Sequence, residues 1–198
     1  MKTTAYVLGT IVLSIITASA HGIGDPVTGK LKAGVCMGCH GVDGNSPIPA
    51  YPKLSGQLNG FIVKQTLDFR SGDRKDAVMS VMINIIPGID DLQDIAAYFN
   101  SQPVMTGSSK DAPLEARGRE VYFRERCHFC HTEGGRPTEK IFAPPPVIGG
   151  QYKEYLIKSM KDFQSGTRKA DIYNLMEQTL IRLTDEDIEA VAAFLSSL

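Results

Sequence analysis

Every cysteine of this chain lies in one of two CxxC pairs, and a histidine follows each pair directly: Cys36-Met37-Gly38-Cys39-His40 and Cys127-His128-Phe129-Cys130-His131. Few folds tolerate that arrangement. Covalent haem of the c type needs two thiols to add across the vinyl groups and a histidine on the same face for the iron, and CxxCH supplies all three in one turn. Four cysteines in an exported chain would otherwise suggest two disulfides, which leave the histidines unexplained. Two zinc knuckles could make a four-thiolate site, with the same difficulty. A thioredoxin-like dithiol would sit near a βαβ pattern, and none is legible. The expectation is two covalent haem c groups.

The repetition runs well past the cysteines. Lys64, Asp68, Phe69, Ser71, Gly72, Arg74 and Lys75 recur in order as Lys158, Asp162, Phe163, Ser165, Gly166, Arg168 and Lys169. Upstream, Pro52 with Gly56-Gln57 matches Pro146 with Gly150-Gln151; downstream, Ile95-Ala96-Ala97-Tyr98-Phe99 matches Val191-Ala192-Ala193-Phe194-Leu195. This is a tandem duplication of a unit large enough to fold alone. The polar, turn-rich run Ser101 to Pro113 reads as the linker. The expected division is a signal peptide over 1–20, an N-terminal domain over 21–107 and a C-terminal domain over 108–198.

The signal peptide follows from Lys2, an apolar run from Tyr6 to Ile16 and the small-residue site Ala18-Ser19-Ala20, with cleavage after Ala20. That run is short of the roughly 20 residues a membrane span needs, so the expected location is the periplasm. Net charge is −1, which removes the basic excess that nucleic acid or an anionic membrane would attract. Peripheral association with the inner membrane stays open.

Helices and loops account for both units. A first helix should lead into each CxxCH, ending near Val35 and Arg126. Gly/Pro-rich loops follow over 41–56 and 132–150. Apolar residues at helical spacing mark 57–71 and 151–165, including Phe61, Leu67 and Phe69 in one and Tyr155, Ile157 and Phe163 in the other. A terminal helix closes each unit, the second capped by Thr184.

The axial ligands of each iron decide between carrier and catalyst. His40 and His131 are the proximal candidates. His21 sits at the expected mature terminus and His128 inside a CxxCH turn, so a thioether is the remaining donor, one that raises the potential. Met160 belongs to a helical stripe, which leaves Met176 in a loop-like segment as the second unit's ligand. In the first unit Met79 and Met82 both qualify; counting from Arg74 favours Met82, and counting from the closing helix falls between them. A metal-bound histidine usually donates its other N–H to an acceptor, and the carbonyls of Pro52 and Pro146 are candidates; simple turn prolines are the alternative. Arg74 and Arg168 read either as partners for haem propionates or as exposed surface arginines.

On Val35-CMGCH-Gly41-x-Asp43-Gly44-Asn45-Ser46, Pro52-Lys53-Leu54-Ser55-Gly56-Gln57, Lys64-Gln65-Thr66-Leu67, Gly72-x-Arg74-Lys75 and Asp94-Ile95-Ala96-Ala97-Tyr98-Phe99, the chain resembles the diheme cytochromes c4 of bacterial respiratory chains, over nearly its whole expected mature length. That resemblance implies an all-α fold of two tandem class I cytochrome c domains, pseudo-two-fold related, each wrapped around a covalent haem held by Cys36 and Cys39 or by Cys127 and Cys130. It implies His–Met ligation by His40 with Met79 and by His131 with Met176. The family pattern falls on Arg74-Lys75…Met79…Met82 with the first methionine as ligand. The departure at Ile85-Ile86-Pro87-Gly88 keeps Met82 as the rival. It also implies electron transfer from a cytochrome bc complex or a soluble donor to a terminal haem–copper oxidase. Two other readings are weighed: a diheme subunit of a flavocytochrome c sulfide dehydrogenase-like enzyme, and a haem enzyme such as a thiosulfate dehydrogenase or a peroxidase. An enzyme would need a labile axial position and an acid–base pair, and no such constellation is legible.

Overall fold

The computed structural model describes residues 24–137, 145–169 and 174–198. The expected signal peptide lies outside them, as do Ala143 and Pro144 of the proline run. Among the described residues there are ten α-helices and no strand, and no helix is long and apolar enough to cross a membrane.

The helices repeat in kind and order. The first half has α1 (Pro26–Lys32), α2 (Gly34–His40), α3 (Asn59–Ser71), α4 (Met79–Met82) and α5 (Ile89–Asn100). The second has α6 (Ala112–Arg124), α7 (His128–His131), α8 (Lys153–Gln164), α9 (Leu175–Leu180) and α10 (Asp185–Ser197). The entry helix of the first half ends at Lys32, earlier than its pattern suggests, and the CxxCH motif forms its own short helix. Residues expected in loops before the closing helices, Met79, Met82 and Met176, lie instead in the short helices α4 and α9.

In each half the first helix crosses the last: α1 packs on α5 and α6 on α10. The crossings need glycine. A Cβ on Gly29 would stand 1.9 Å from the Asp94 carbonyl oxygen, and one on Gly118 would stand 1.9 Å from that of Ala190, so backbones meet where any side chain would force them apart. Local signals support the elements. Asp25 accepts from the amides of Val27 and Thr28 at the start of α1, Asp111 from Leu114 at the start of α6, and Thr184 from Asp187 at the start of α10.

Two cores result. One gathers Ile62, Phe69, Ile83, Leu92, Ile95 and Phe99; the other gathers Tyr122, Leu156, Phe163, Leu183, Ile188 and Val191. A third small cluster of Leu58, Met105 and Val147 lies at the seam between the halves. Met105 explains why the polar linker is not loose. Its side chain is fully buried, and nearby Gly107 and Ser108 donate to the carbonyls of Leu198 and Ser196.

Candidate functional site

Each CxxCH turn presents its histidine inward. His40 and His131 are buried, and none of the four cysteines is joined in a disulfide. Cys36 packs against the first core and Cys127 against the second. Before haem attachment, burial pushes both thiols up to about 11. Among the described residues no three of His, Cys, Asp and Glu gather as a metal ion would need; the two CxxC pairs do not converge.

The imidazoles are oriented from behind. His40 Nδ1 lies 2.8 Å from the Pro52 carbonyl and His131 Nδ1 lies 3.3 Å from that of Pro146. A carbonyl can only accept, so Nδ1 carries the proton and Nε2 is left as the lone-pair nitrogen. Burial holds both rings below the usual histidine range, and the proline carbonyls oppose this only in part. A neutral imidazole with Nδ1 fixed and Nε2 presented is the form that ligates a metal. His128, by contrast, is half-buried between Phe123 and Phe129, a packing position.

The methionines fall into register through two anchors that the sequence reading missed. Arg70 donates to the carbonyls of Ile83 and Ile86, and Gln164 donates to those of Leu180 and Leu183. These bonds align the two segments before the closing helices. Met79 precedes Ile83, and Met176 precedes Leu180, by the same four residues; Met82 aligns with Thr179. Met79 packs against the first core, as Cys36 does, and Met176 against the second, as Cys127 does. Met82 is half-buried and lies outside that cluster. Met160 is buried in the second core.

Arg74 and Arg168 are not surface residues; they are 9% and 5% exposed. Both come to the seam. Arg74 donates to Gln65 Oε1 and to the Tyr155 hydroxyl, while Arg168 donates to Ser159 Oγ and to the same Gln65 Oε1. Neither pairs with a carboxylate among the described residues, and Arg168 Nε has no partner there. Buried charge without a counterion is costly. Burial lowers Arg168 to about 10. Burial alone would raise Tyr155, but the two guanidiniums outweigh it and bring the phenol down to about 8. Such a place fits an acidic group, as a haem propionate would be.

The halves are tied reciprocally. Gln57 donates to the Val147 carbonyl and accepts from the Val147 amide; Gln151 donates to the Lys53 carbonyl and accepts from the Lys53 amide. Both glutamines are 4% exposed. The one available signal was their recurrence behind Pro52 and Pro146.

Comparison with known proteins agrees with this geometry. The Cytochrome c family model matches residues 115–198. A cytochrome c4 of Pseudomonas aeruginosa is 37% identical over 92% of this chain and 93% of its own length. The crystal structure of reduced recombinant cytochrome c4 from Pseudomonas stutzeri superposes with a TM-score of 0.81 at 34% identity, covering 88% of this chain and 99% of that one. More distant is a thiosulfate dehydrogenase electron acceptor of Thiomonas intermedia, 28% identical over 84% of this chain and 79% of its own length.

Proposed function

The chain belongs to the cytochrome c4 family, and on that premise we propose that it shuttles single electrons in the periplasm, from a cytochrome bc complex or a soluble donor to a terminal haem–copper oxidase. Membership makes it a diheme, electron-transferring cytochrome c, with covalent haem c as cofactor and redox proteins as partners. The finer statements are our reading. They rest on one observation: both halves hold a buried imidazole with Nδ1 on a proline carbonyl, directly after a CxxC pair that forms no disulfide.

The residues fit the cofactor. Cys36 and Cys39 would hold one haem by thioether bonds, Cys127 and Cys130 the other. When bound, the haem iron supplies a one-electron couple. His40 and His131 offer Nε2 as proximal ligands. Met176 would supply the second thioether and Met79 the first; shared register and packing against the first core favour Met79 over Met82. Arg74 and Arg168 would take the propionates. With His40 and Met79 on one iron and His131 and Met176 on the other, neither iron would have a position left for a substrate, and the chemistry supplied would be electron transfer. We assign residues 1–20 as the signal peptide, with 21–107 and 108–198 as the two domains. The partner contact should be small and transient, about 1,200 Å² or less in total.

A second reading changes only the donor. The 28% identical relative is an electron acceptor of thiosulfate dehydrogenase, so an enzyme of that kind is a candidate source of electrons. The test is spectroscopic. The oxidised protein should show the weak far-red band of a sulfur–iron bond, and Met79→Ala should abolish about half of it while Met82→Ala leaves it intact. Ready carbon monoxide binding by the unmodified protein would contradict the carrier reading.

A further inference from the structure

A peptide bond is one rigid, conjugated plane, and the Pro52 carbonyl shares its plane with the Lys53 amide. Two groups grip that plane from opposite ends. His40 Nδ1 lies 2.8 Å from the Pro52 oxygen, and Gln151 Oε1 accepts from the Lys53 N–H at 2.9 Å. The other half repeats the device. His131 Nδ1 lies 3.3 Å from the Pro146 oxygen, and Gln57 Oε1 accepts from the Val147 N–H at 2.9 Å. In both cases the glutamine comes from the opposite half of the chain.

Each glutamine closes its grip with its amide donor, to the Lys53 carbonyl at 2.9 Å or the Val147 carbonyl at 2.8 Å. Its Oε1 is also anchored at home. Gln151 Oε1 accepts from the Tyr152 amide just before α8, and Gln57 Oε1 from the Leu58 amide just before α3. Both glutamines are nearly fully buried, so water does not compete for these bonds.

We propose that Gln151 and Gln57 are positioning residues that set the electron donation of the proximal histidine in the opposite half, making each haem's potential depend on the other domain. This rests on His40 and His131 being the iron ligands. The physical chain is short. An amide whose N–H donates a hydrogen bond has a more negative carbonyl oxygen, because bonds in series polarise one another. A more negative Pro52 oxygen pulls harder on the His40 Nδ1 proton and makes the imidazole the stronger donor at Nε2. A stronger donor favours the oxidised iron. Loss of Gln151 therefore makes the haem on His40 easier to reduce, and loss of Gln57 does the same for the haem on His131.

The test uses the full diheme protein with Gln151→Met and, separately, Gln57→Met, each close in length to glutamine but without its amide. The two reduction equilibria are followed by titration and assigned to their sites by the hyperfine-shifted NMR signals of each axial histidine. In Gln151→Met the equilibrium constant for reducing the haem on His40 should rise by about 1.1- to 2-fold, the span expected when one bond in series loses its polarising neighbour. The haem on His131 should move less. Gln57→Met should give the mirror image. The shorter amides of Gln151→Asn and Gln57→Asn serve if the methionine variants do not hold two haems.

The crossed pattern is the diagnostic, since a mere clamp would lower stability without choosing the opposite haem. Shifts confined to the variant's own half, equal shifts of both haems, or lowered stability with unmoved equilibria would overturn the proposal and leave the carrier function standing. Unmodified protein without axial-histidine signals from His40 and His131 would remove both.

Discussion

The two halves of this molecule follow one plan and hold it with unequal tightness. After the first CxxCH, the chain turns at Gly41 with φ +85°; after the second, at Thr132 with φ +62° and ψ 170°. That region of backbone space belongs almost entirely to glycine. The first imidazole has a short bond to its proline and the second a long one, 2.8 against 3.3 Å. At the seam, Arg74 reaches a tyrosine hydroxyl at position 155, whereas the matching position in the first half is Phe61. After duplication the helix crossings and the histidine supports were kept, while the turn and the seam diverged. One fold thus gives its two metal sites different surroundings.

The largest test breaks what the halves share. Gly29→Ala and Gly118→Ala each put a Cβ 1.9 Å from a carbonyl oxygen, and each should destabilise by at least about 3 kcal/mol in chemical denaturation. Similar losses would show that the crossings are equivalent. Acid comes next. Burial holds the His40 and His131 imidazoles below the ordinary value of 6.5, so the unfolded chain binds more protons than the folded one below that pH. Stability is full above 6.5 and should fall as pH drops through the window beneath it, by up to about 2.7 kcal/mol per pH unit for two groups. Unfolding curves recorded across that window check the slope.

Two further changes exchange the halves' differences. Gly41→Thr would place a Cβ 2.4 Å from the Asn45 oxygen and should cost about 2 kcal/mol. Thr132→Gly should raise stability by about 1 kcal/mol, since relief of strain exceeds the added chain entropy. Opposite signs in thermal unfolding would confirm that the first half holds its turn better. The smallest effect concerns the irons. The shorter His40–Pro52 bond makes the first imidazole the stronger donor. Taken alone, it should make that haem harder to reduce than its neighbour by about two- to tenfold in equilibrium constant, as read from a site-resolved redox titration.

Much of this was legible in the residues because its signals are local. CxxCH, the duplicated Lys64-to-Lys75 stretch and the cap at Thr184 each lie within a dozen residues, and the helices follow from their spacing. What escaped is built from contacts between distant positions. Arg168 meets Gln65 across a sequence separation of 103, and Gln151 meets Lys53 across 98. No composition or periodicity marks an arginine as buried when its partners are so far along the chain. Residue counting alone left Met79 and Met82 both open because the halves differ in length there; the family pattern pointed to Met79, and the anchors at Arg70 and Gln164 align Met79 with Met176.

The central claim is that each half binds its own haem covalently through its own cysteine pair. Intact-mass measurement after acid and organic extraction, which removes any haem held only by coordination, tests it directly. The mature chain should retain the mass of two haems, falling to one in Cys36→Ser/Cys39→Ser and likewise in Cys127→Ser/Cys130→Ser. A bare polypeptide mass, or both haems lost from a single pair's replacement, would contradict it.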